Sequence, residues 1–530
     1  SYLGSLFPKC PLVRSSTLGV PGGASWRVAR SLSWMPTPGC YDGGSPAVRR
    51  RSSSSGRTSW IQVAWLMLSD IVGTSVLTFS GVARDLGWLT SSAFIIGLFP
   101  LALYVSILMA RTRTMLVEIA QLMGESEPRL DTMGEVSFHI FRSKFARELV
   151  YGAVYGLYAL LGNASYLLVL GSSLQAAFYD DHLCMYVAVA IGCAFMVLPV
   201  TVIRNLGDSV ALCLVNTLTI GLVVVIAFWT IAASERPSCG RAHAIAPGLT
   251  VMSMLGAATN VVYSYCGQWM YFEVMDTMDR PRNFPKAFAV TGPVMVSVYL
   301  LVANLGQYFG VTTSDLMEGV PEGIPLRICS VLLFAHVMVV YLIKSVVLQR
   351  FCHRLCSPAD LDERSGASYA KHGAWGVLML GFGYTVANAV PFFSQLLGLI
   401  GGFLGGPINF LLPMYMYLAA LGRHHGVLKE ERGPRGDFSL ELREDGRVRF
   451  KESSVVAAWR GLRRVHLAEA ALMAFTSAFI LLTMVLGVAD VVQQILKLNG
   501  KLGPPMACHA RERGNLAAFS EGDCLGASPI

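Results

Sequence analysis

Runs of about 20 apolar residues recur along this chain, each long enough as a helix to cross roughly 30 Å of hydrocarbon. That recurrence constrains the fold more than any other feature. We read about eleven such spans, at 60–83, 91–110, 149–178, 183–203, 209–233, 249–278, 287–311, 327–349, 373–391, 394–421 and 467–489. Composition agrees: 53% of residues are hydrophobic and only 14% charged, with a mean hydropathy of +0.52. A water-soluble chain has too few polar groups here to cover its exterior. The expected fold class is an all-α polytopic membrane protein.

The net charge of +8 does not point to nucleic acid, because the bases are spread over short connections and gather into no groove-sized stripe. They fit an orientation. With the N-terminus cytoplasmic, about 33 of the 42 Lys and Arg lie on the inner side, while the opposite connections "YDDH" (179–182) and "SDLMEGVPEG" (314–323) carry mostly acids. Residues 1–59 form a basic tail, with Asp42 as its only acid, that is expected to be disordered; a transit-like peptide is the alternative reading. The membrane domain is expected over 60–490, with a charged cytoplasmic loop at 423–466, solvated and with a short hairpin near Asp445-Gly446, and a C-terminal tail over 491–530. The 12 cysteines show no metal spacing. Cys184, Cys239 and Cys329 fall near one face and are the candidates for an extracellular disulfide.

Two spans are interrupted. "SDIVGTSVLTF" (69–79) sets Gly73, Thr74 and Ser75 inside the first, and "YSYCGQW" (263–269) breaks the sixth. These are corresponding members of two five-helix halves, the pattern of an inverted five-plus-five repeat with broken helices 1 and 6 and a substrate site near the midplane. The plain alternative is that Gly, Ser and Thr let helices pack closely. Unwinding frees backbone groups that lipid cannot satisfy, so a break must face protein, water or ligand. The half-helix after Ser75 turns its positive end to the gap and suits a carboxylate; the half-helix ending near Ile71 suits a cation. Asp70 lies at that negative end, where burial and dipole both oppose its charge. One reading makes Asp70 an ion-coupling site; the other turns it to an inner water vestibule or pairs it with a cytosolic base.

Four stretches carry a resemblance. "VGTSVLTFSGVARDLGW" (72–88), "YSYCGQWMYFEVMDTM" (263–278) followed by "RPRNFPKAF", "FAHVMVVYLIKS" (334–345) and "VPFFSQLLGLIGGFLGGPINFLLPMYMYL" (390–418) occur in the order found in the amino acid/auxin permease family. The chain resembles that family over roughly 60–490, and its plant lysine/histidine permeases most in motif. It departs from their pattern at Ser75, Ser80, Gln268 and Val347. The resemblance implies that Gly73, Thr74 and Ser75 contact the backbone groups of an amino acid substrate and that Tyr263, Tyr265 and Gly267 form the facing wall; packed aromatics are the alternative for the tyrosines.

His336, deep in the eighth span, reads as a proton relay or as a hydrogen-bonded core histidine. Glu273 reads as part of a proton path or inner gate, or as an ion pair with Lys344. Ser345 is a candidate cation ligand beside Asp70. The sequon at Asn163 lies within a span and is expected to be unused.

The leading expectation is a secondary active amino acid transporter using H⁺ or Na⁺ as coupling ion, with no other cofactor, no metal and no enzymatic step. Its partners are the amino acid and the lipid bilayer of a plasma, vacuolar or lysosomal membrane. An amino acid sensor using the same pocket, and a membrane-bound O-acyltransferase with His336 paired to Asn304, are the alternatives.

Overall fold

The computed structural model describes residues 58–502, apart from 205, 235–241, 312, 358–359, 362, 364, 391, 432–439, 443–447 and 451–452, together with residue 508. Most of the expected basic tail, the turn of the expected hairpin and most of the C-terminal tail lie outside the described residues. Each of the eleven expected spans coincides with helix. The first is a bent pair, α1 (Trp60–Ile71) and α2 (Thr74–Leu86), meeting at 42°. There follow α3 (Trp88–Leu122), a short α4 (Met133–Phe141), α5 (Lys144–Ala177), α6 (Met185–Val202) and α7 (Leu206–Ala233). The second broken member is α8 (Val251–Ser264) with α9 (Tyr271–Thr277). Then come α10 (Phe284–Tyr308), α11 (Ile324–Cys356), α12 (Gly366–Ala389) and α13 (Phe393–Val427). A two-strand hairpin, β1 (Leu440–Leu442) with β2 (Val448–Phe450), a short α14 (Ser454–Leu462) and α15 (Leu467–Leu498) complete the order.

Among the described residues, eight helices are long and apolar enough to cross a membrane, or nine with the bent first pair as one span. The two expected spans outside that number are the broken α8–α9, whose pieces are too short individually, and α12. The protein is thus an all-α multi-pass membrane protein. Outward faces carry exposed apolar side chains such as Leu198, Trp229 and Phe475, as hydrocarbon contact requires, whereas α5 and α11 are mostly buried.

Helix starts follow local chemistry. Ser59 and Gln62 form a reciprocal cap on α1, and Thr250 with Ser253 does the same for α8. Packing sets α11 against α5, α7 and α12, with α6 on α5 and α12; α10 packs on α1, α2 and α3. The expected solvated loop 423–466 contains more structure than its charge suggests. Its α14 crosses α13 with Gly422 and Gly461 at the contact, where a Cβ on Gly422 would lie 1.9 Å from the Ala457 carbonyl oxygen. The expected hairpin has its strands paired from Leu440↔Phe450 to Leu442↔Val448. Helix also continues past the expected boundary at 490, to Leu502.

The cysteine expectation needs correction. Cys184, at the start of α6, is bonded to Cys508 in the C-terminal tail. Cys329 is instead a buried free thiol facing the Val223 carbonyl, and Cys239 lies outside the described residues.

Candidate functional site

The two breaks lie together in the interior and are joined by a residue that sequence reading passed over. Tyr299 of α10 is fully buried, and its hydroxyl stands 2.9 Å from the Ile71 carbonyl and 3.1 Å from the Ser264 carbonyl. Those carbonyls end α1 and α8. One hydroxyl proton therefore serves the C-terminal ends of both first halves. The Tyr299 ring stacks on Phe79 at 4.4 Å and meets Tyr265 edge-on at 5.8 Å.

At the first break the chain leaves helix after Val72, whose amide still reaches the Leu68 carbonyl, and resumes when Val76 N–H donates to the Gly73 carbonyl. Gly73 is nearly extended, and a Cβ there would crowd the Asp70 carbonyl at 3.1 Å. The amides of Gly73, Thr74 and Ser75 have no acceptor among the described residues. All three residues are buried, and they lie at the start of α2, the positive end of that helix.

At the second break two backbone groups are satisfied from outside the break, while both side-chain amide atoms of the fully buried Gln268 have no hydrogen-bond partner among the described residues. Tyr158 donates to the Cys266 carbonyl at 2.9 Å, and Asn409 Oδ1 accepts from Trp269 N–H at 2.9 Å. Tyr265 spends its hydroxyl on the Ile95 carbonyl of α3 at 2.6 Å, so it offers the gap its ring. The Tyr263 hydroxyl sits toward α5, near Gly162. Gly267 packs against the Tyr271 ring.

The charged pairing differs from expectation. Lys344, the partner in one of the two readings of Glu273, instead places Nζ 3.3 Å from Asp70 Oδ1. The contact has the distance of an ion pair but not the alignment of a hydrogen bond. The Lys344 ammonium also lies 5.2 Å from the Tyr166 ring centroid, within reach of a cation–π contact. The reason is position: Lys344 of α11 and Asp70 at the end of α1 are both nearly excluded from solvent, and each charge needs the other. Glu273, on α9, accepts instead from the Tyr155 hydroxyl, whose ring stacks on Phe351.

Ser345 accepts from Asn163 Nδ2 at 2.8 Å, which buries the sequon as expected. His336 is fully buried, with Nδ1 3.0 Å from the Asn216 carbonyl; because a carbonyl only accepts, that nitrogen carries the proton. Asn216 Nδ2 in turn donates to Ser69 Oγ at 2.7 Å. His336 is thus linked through α7 to the neighbour of Asp70, although it stands about 12 Å along α11 from Lys344. Asn304 bonds Ser92 and the Leu300 carbonyl, and no hydrogen bond joins it to His336 among the described residues.

The structure therefore brings Asp70, Lys344 and the first break together, joins the sixth break through Tyr299, and leaves Glu273 in a separate pair. A family described as transmembrane amino acid transporter proteins matches residues 56–431. The chain belongs to that family. Among curated proteins it is similar to the amino acid transporter ANT1 of Arabidopsis thaliana, at 22% identity over 69% of this chain and 86% of that protein. It is likewise similar to a transmembrane transporter of Gibberella moniliformis, at 24% identity over 68% of this chain and 75% of the relative. A shorter match, 23% identical over 30% of this chain and 35% of the relative, is to the N amino acid transport system protein of Neurospora crassa. The first break differs from plain close packing of helices. Small residues at a helix contact would leave the backbone hydrogen-bonded, whereas here three amides are released.

Proposed function

We propose that this protein is a secondary active amino acid transporter working by alternating access. The observation that carries the reading is the set of unclaimed amides at Gly73, Thr74 and Ser75, at the positive end of α2. They suit the substrate carboxylate, and the negative end of α1 suits its ammonium group. Tyr263, Tyr265 and Gly267 close the opposite side, with Tyr299 holding the two first halves in register. Cytoplasmic bases and a disulfide at the start of α6, where an oxidising compartment is needed, support a cytoplasmic N-terminus and eleven spans.

Asp70 is the coupling site in this reading, and H⁺ is the ion. Lys344 already supplies a positive charge 3.3 Å from the carboxylate, so Na⁺ at Asp70 would have to displace it, whereas a proton neutralises Asp70 and releases the lysine. Ser345 and His336 then position α11 and α1 around the pair, and Glu273 with Tyr155 belongs to the inner closure. Other contacts on that side are the Arg113–Asp276 ion pair at 3.2 Å and the strap in which Thr58 N–H donates to the Thr277 carbonyl at 3.0 Å.

The test is uptake of a mixed labelled amino acid pool into liposomes under an imposed pH gradient, with and without Na⁺. Accumulation that collapses with a protonophore and is lost in Asp70→Asn is the expected result. Normal gradient-driven uptake by Asp70→Asn at every pH would sink the coupling assignment. Saturable binding without uptake would replace transport by sensing.

A further inference from the structure

Away from the breaks, in the half of the helix bundle nearer the C-terminal end of α11, a polar stripe runs through the interior with much of its hydrogen-bonding capacity unused among the described residues. Gln349 and His353 are four residues apart on α11, so they share a face, and Ser345 stands four residues before Gln349 on that face. His372 approaches them from α12. Helix contact is close here, since a Cβ on Gly376 would come within 2.6 Å of Gln349 Nε2 and one on Gly373 within 2.9 Å of Thr201.

Gln349, His353 and His372 are each fully buried. Among the described residues, both amide atoms of Gln349, both ring nitrogens of His353, Nδ1 of His372 and Oδ1 of Asn163 have no hydrogen-bond partner. The other ring nitrogen of His372 lies 3.3 Å from the Ile203 carbonyl. Six orphaned polar atoms in one interior stripe would be costly if left dry.

Chemistry narrows the guest. The two imidazole rings stand 6.4 Å apart, too far for a direct bond between them and suited to a bridging water. The charged groups around the pair are Arg204, Arg350 and Lys371, with Asp360 as the one acid. Arg204 is itself committed to the Leu361 and Glu363 carbonyls and to Ser368 Oγ, and Lys371 to Asp360. A divalent cation would meet three positive side chains and two neutral ligands, so a metal is the wrong guest. Water, which both donates and accepts, matches an amide and two imidazoles of the same dual character.

We propose that Gln349, His353 and His372 hold a file of buried water, and that this file is the route by which protons pass between the cytoplasmic face and the Asp70–Lys344 pair. Successive side chains of the stripe are about 6 Å apart, a gap one water spans. The stripe ends at Ser345, next in the chain to Lys344 and bonded to Asn163. A proton enters from the bridging water by adding to one ring nitrogen of His353 and leaves from its other nitrogen to the next water, while His372 holds the bridge through Nδ1 with its Nε2 at the Ile203 carbonyl; no bond other than O–H and N–H is made or broken. The route is separate from the substrate path between α1, α2 and α8. It rests on the coupling role of Asp70 in the proposed function.

Two measurements on the full-length protein separate the file from its role. Hydrogen–deuterium exchange at the imidazole C2 positions, read by mass spectrometry, reports water access directly. His353 and His372 are expected to exchange within about tenfold of the denatured chain, and slower exchange would overturn the water file. In liposomes, His353→Leu and His372→Leu are expected to reduce pH-driven accumulation about tenfold while amino acid exchange across the membrane, which needs no net proton movement, stays within about twofold. Equal loss of both activities would mark the histidines as structural and overturn the route. Wild-type protein that exchanges amino acid but accumulates none under a pH gradient would remove the coupling reading and the proton role with it, whatever the rings' exchange rate.

Discussion

A lysine ammonium beside a carboxylate in the membrane interior is stabilised by its partner far more than by its surroundings. Removing one member of such a pair leaves the other charge stranded at a cost of about 3–5 kcal/mol, whereas removing both together is tolerated. Lys344→Met is therefore expected to lower thermal stability in detergent sharply, and Asp70→Asn combined with Lys344→Met to recover most of the loss. A double variant no more stable than Lys344→Met alone would mean that the 3.3 Å contact carries no coupling. The need of each charge for a partner was legible in the sequence. The identity of the partner was not: Asp70 and Lys344 are 274 positions apart, and which helix face meets which is set by depth and rotation of packed helices, quantities no local pattern encodes. The same limit assigned Lys344 to Glu273, which bonds Tyr155 instead.

Among elements, the broken helices were the easiest feature to foresee and their fastener the hardest. Glycine with two hydroxyl residues inside an apolar run is a local signal, so the first break announced itself. Tyr299 gives no such signal, because an aromatic in an apolar helix is ordinary until its hydroxyl is seen between the Ile71 and Ser264 carbonyls. Tyr299→Phe keeps the ring stack on Phe79 and deletes only that hydroxyl. It is expected to cost about 1–3 kcal/mol, since helix-end carbonyls in a dry interior lose their donor. Unfolding in denaturant would read the loss; an unchanged midpoint would mean that water replaces the hydroxyl. The buried imidazoles at 353 and 372 were missed for a related reason. His353 closes the charged end of a helix and His372 lies near the start of the next, which reads as ordinary helix-terminus chemistry until both rings are found buried beside each other, 6.4 Å apart.

For the whole molecule, the disulfide joins regions 324 residues apart. It predicts a simple gel result. Cutting the chain once within 432–439, after an engineered protease site is placed there, should leave the two pieces as one band without reductant and two bands with it. Cys184→Ser should give two bands under both conditions. Two bands from the unreduced wild type would mean the bond does not form. Cys508 escaped sequence reading because its tail shows no apolar periodicity, and the tail's two cysteines, at 508 and 524, have no spacing that marks a partner.

That bond also does arithmetic on the membrane. Two sulfurs can meet only on one face, so the chain between Cys184 and Cys508 must cross the bilayer an even number of times. In the eleven-span arrangement proposed above, the crossings from α6 onward are α6, α7, the broken α8–α9, α10, α11, α12, α13 and α15, which is an even set. Strike out α12 alone, or the broken helix alone, and the two cysteines would face opposite compartments. The parity of the disulfide thus holds both less apolar helices inside the membrane together or excludes them together, and the second choice would leave the paired breaks without their partner.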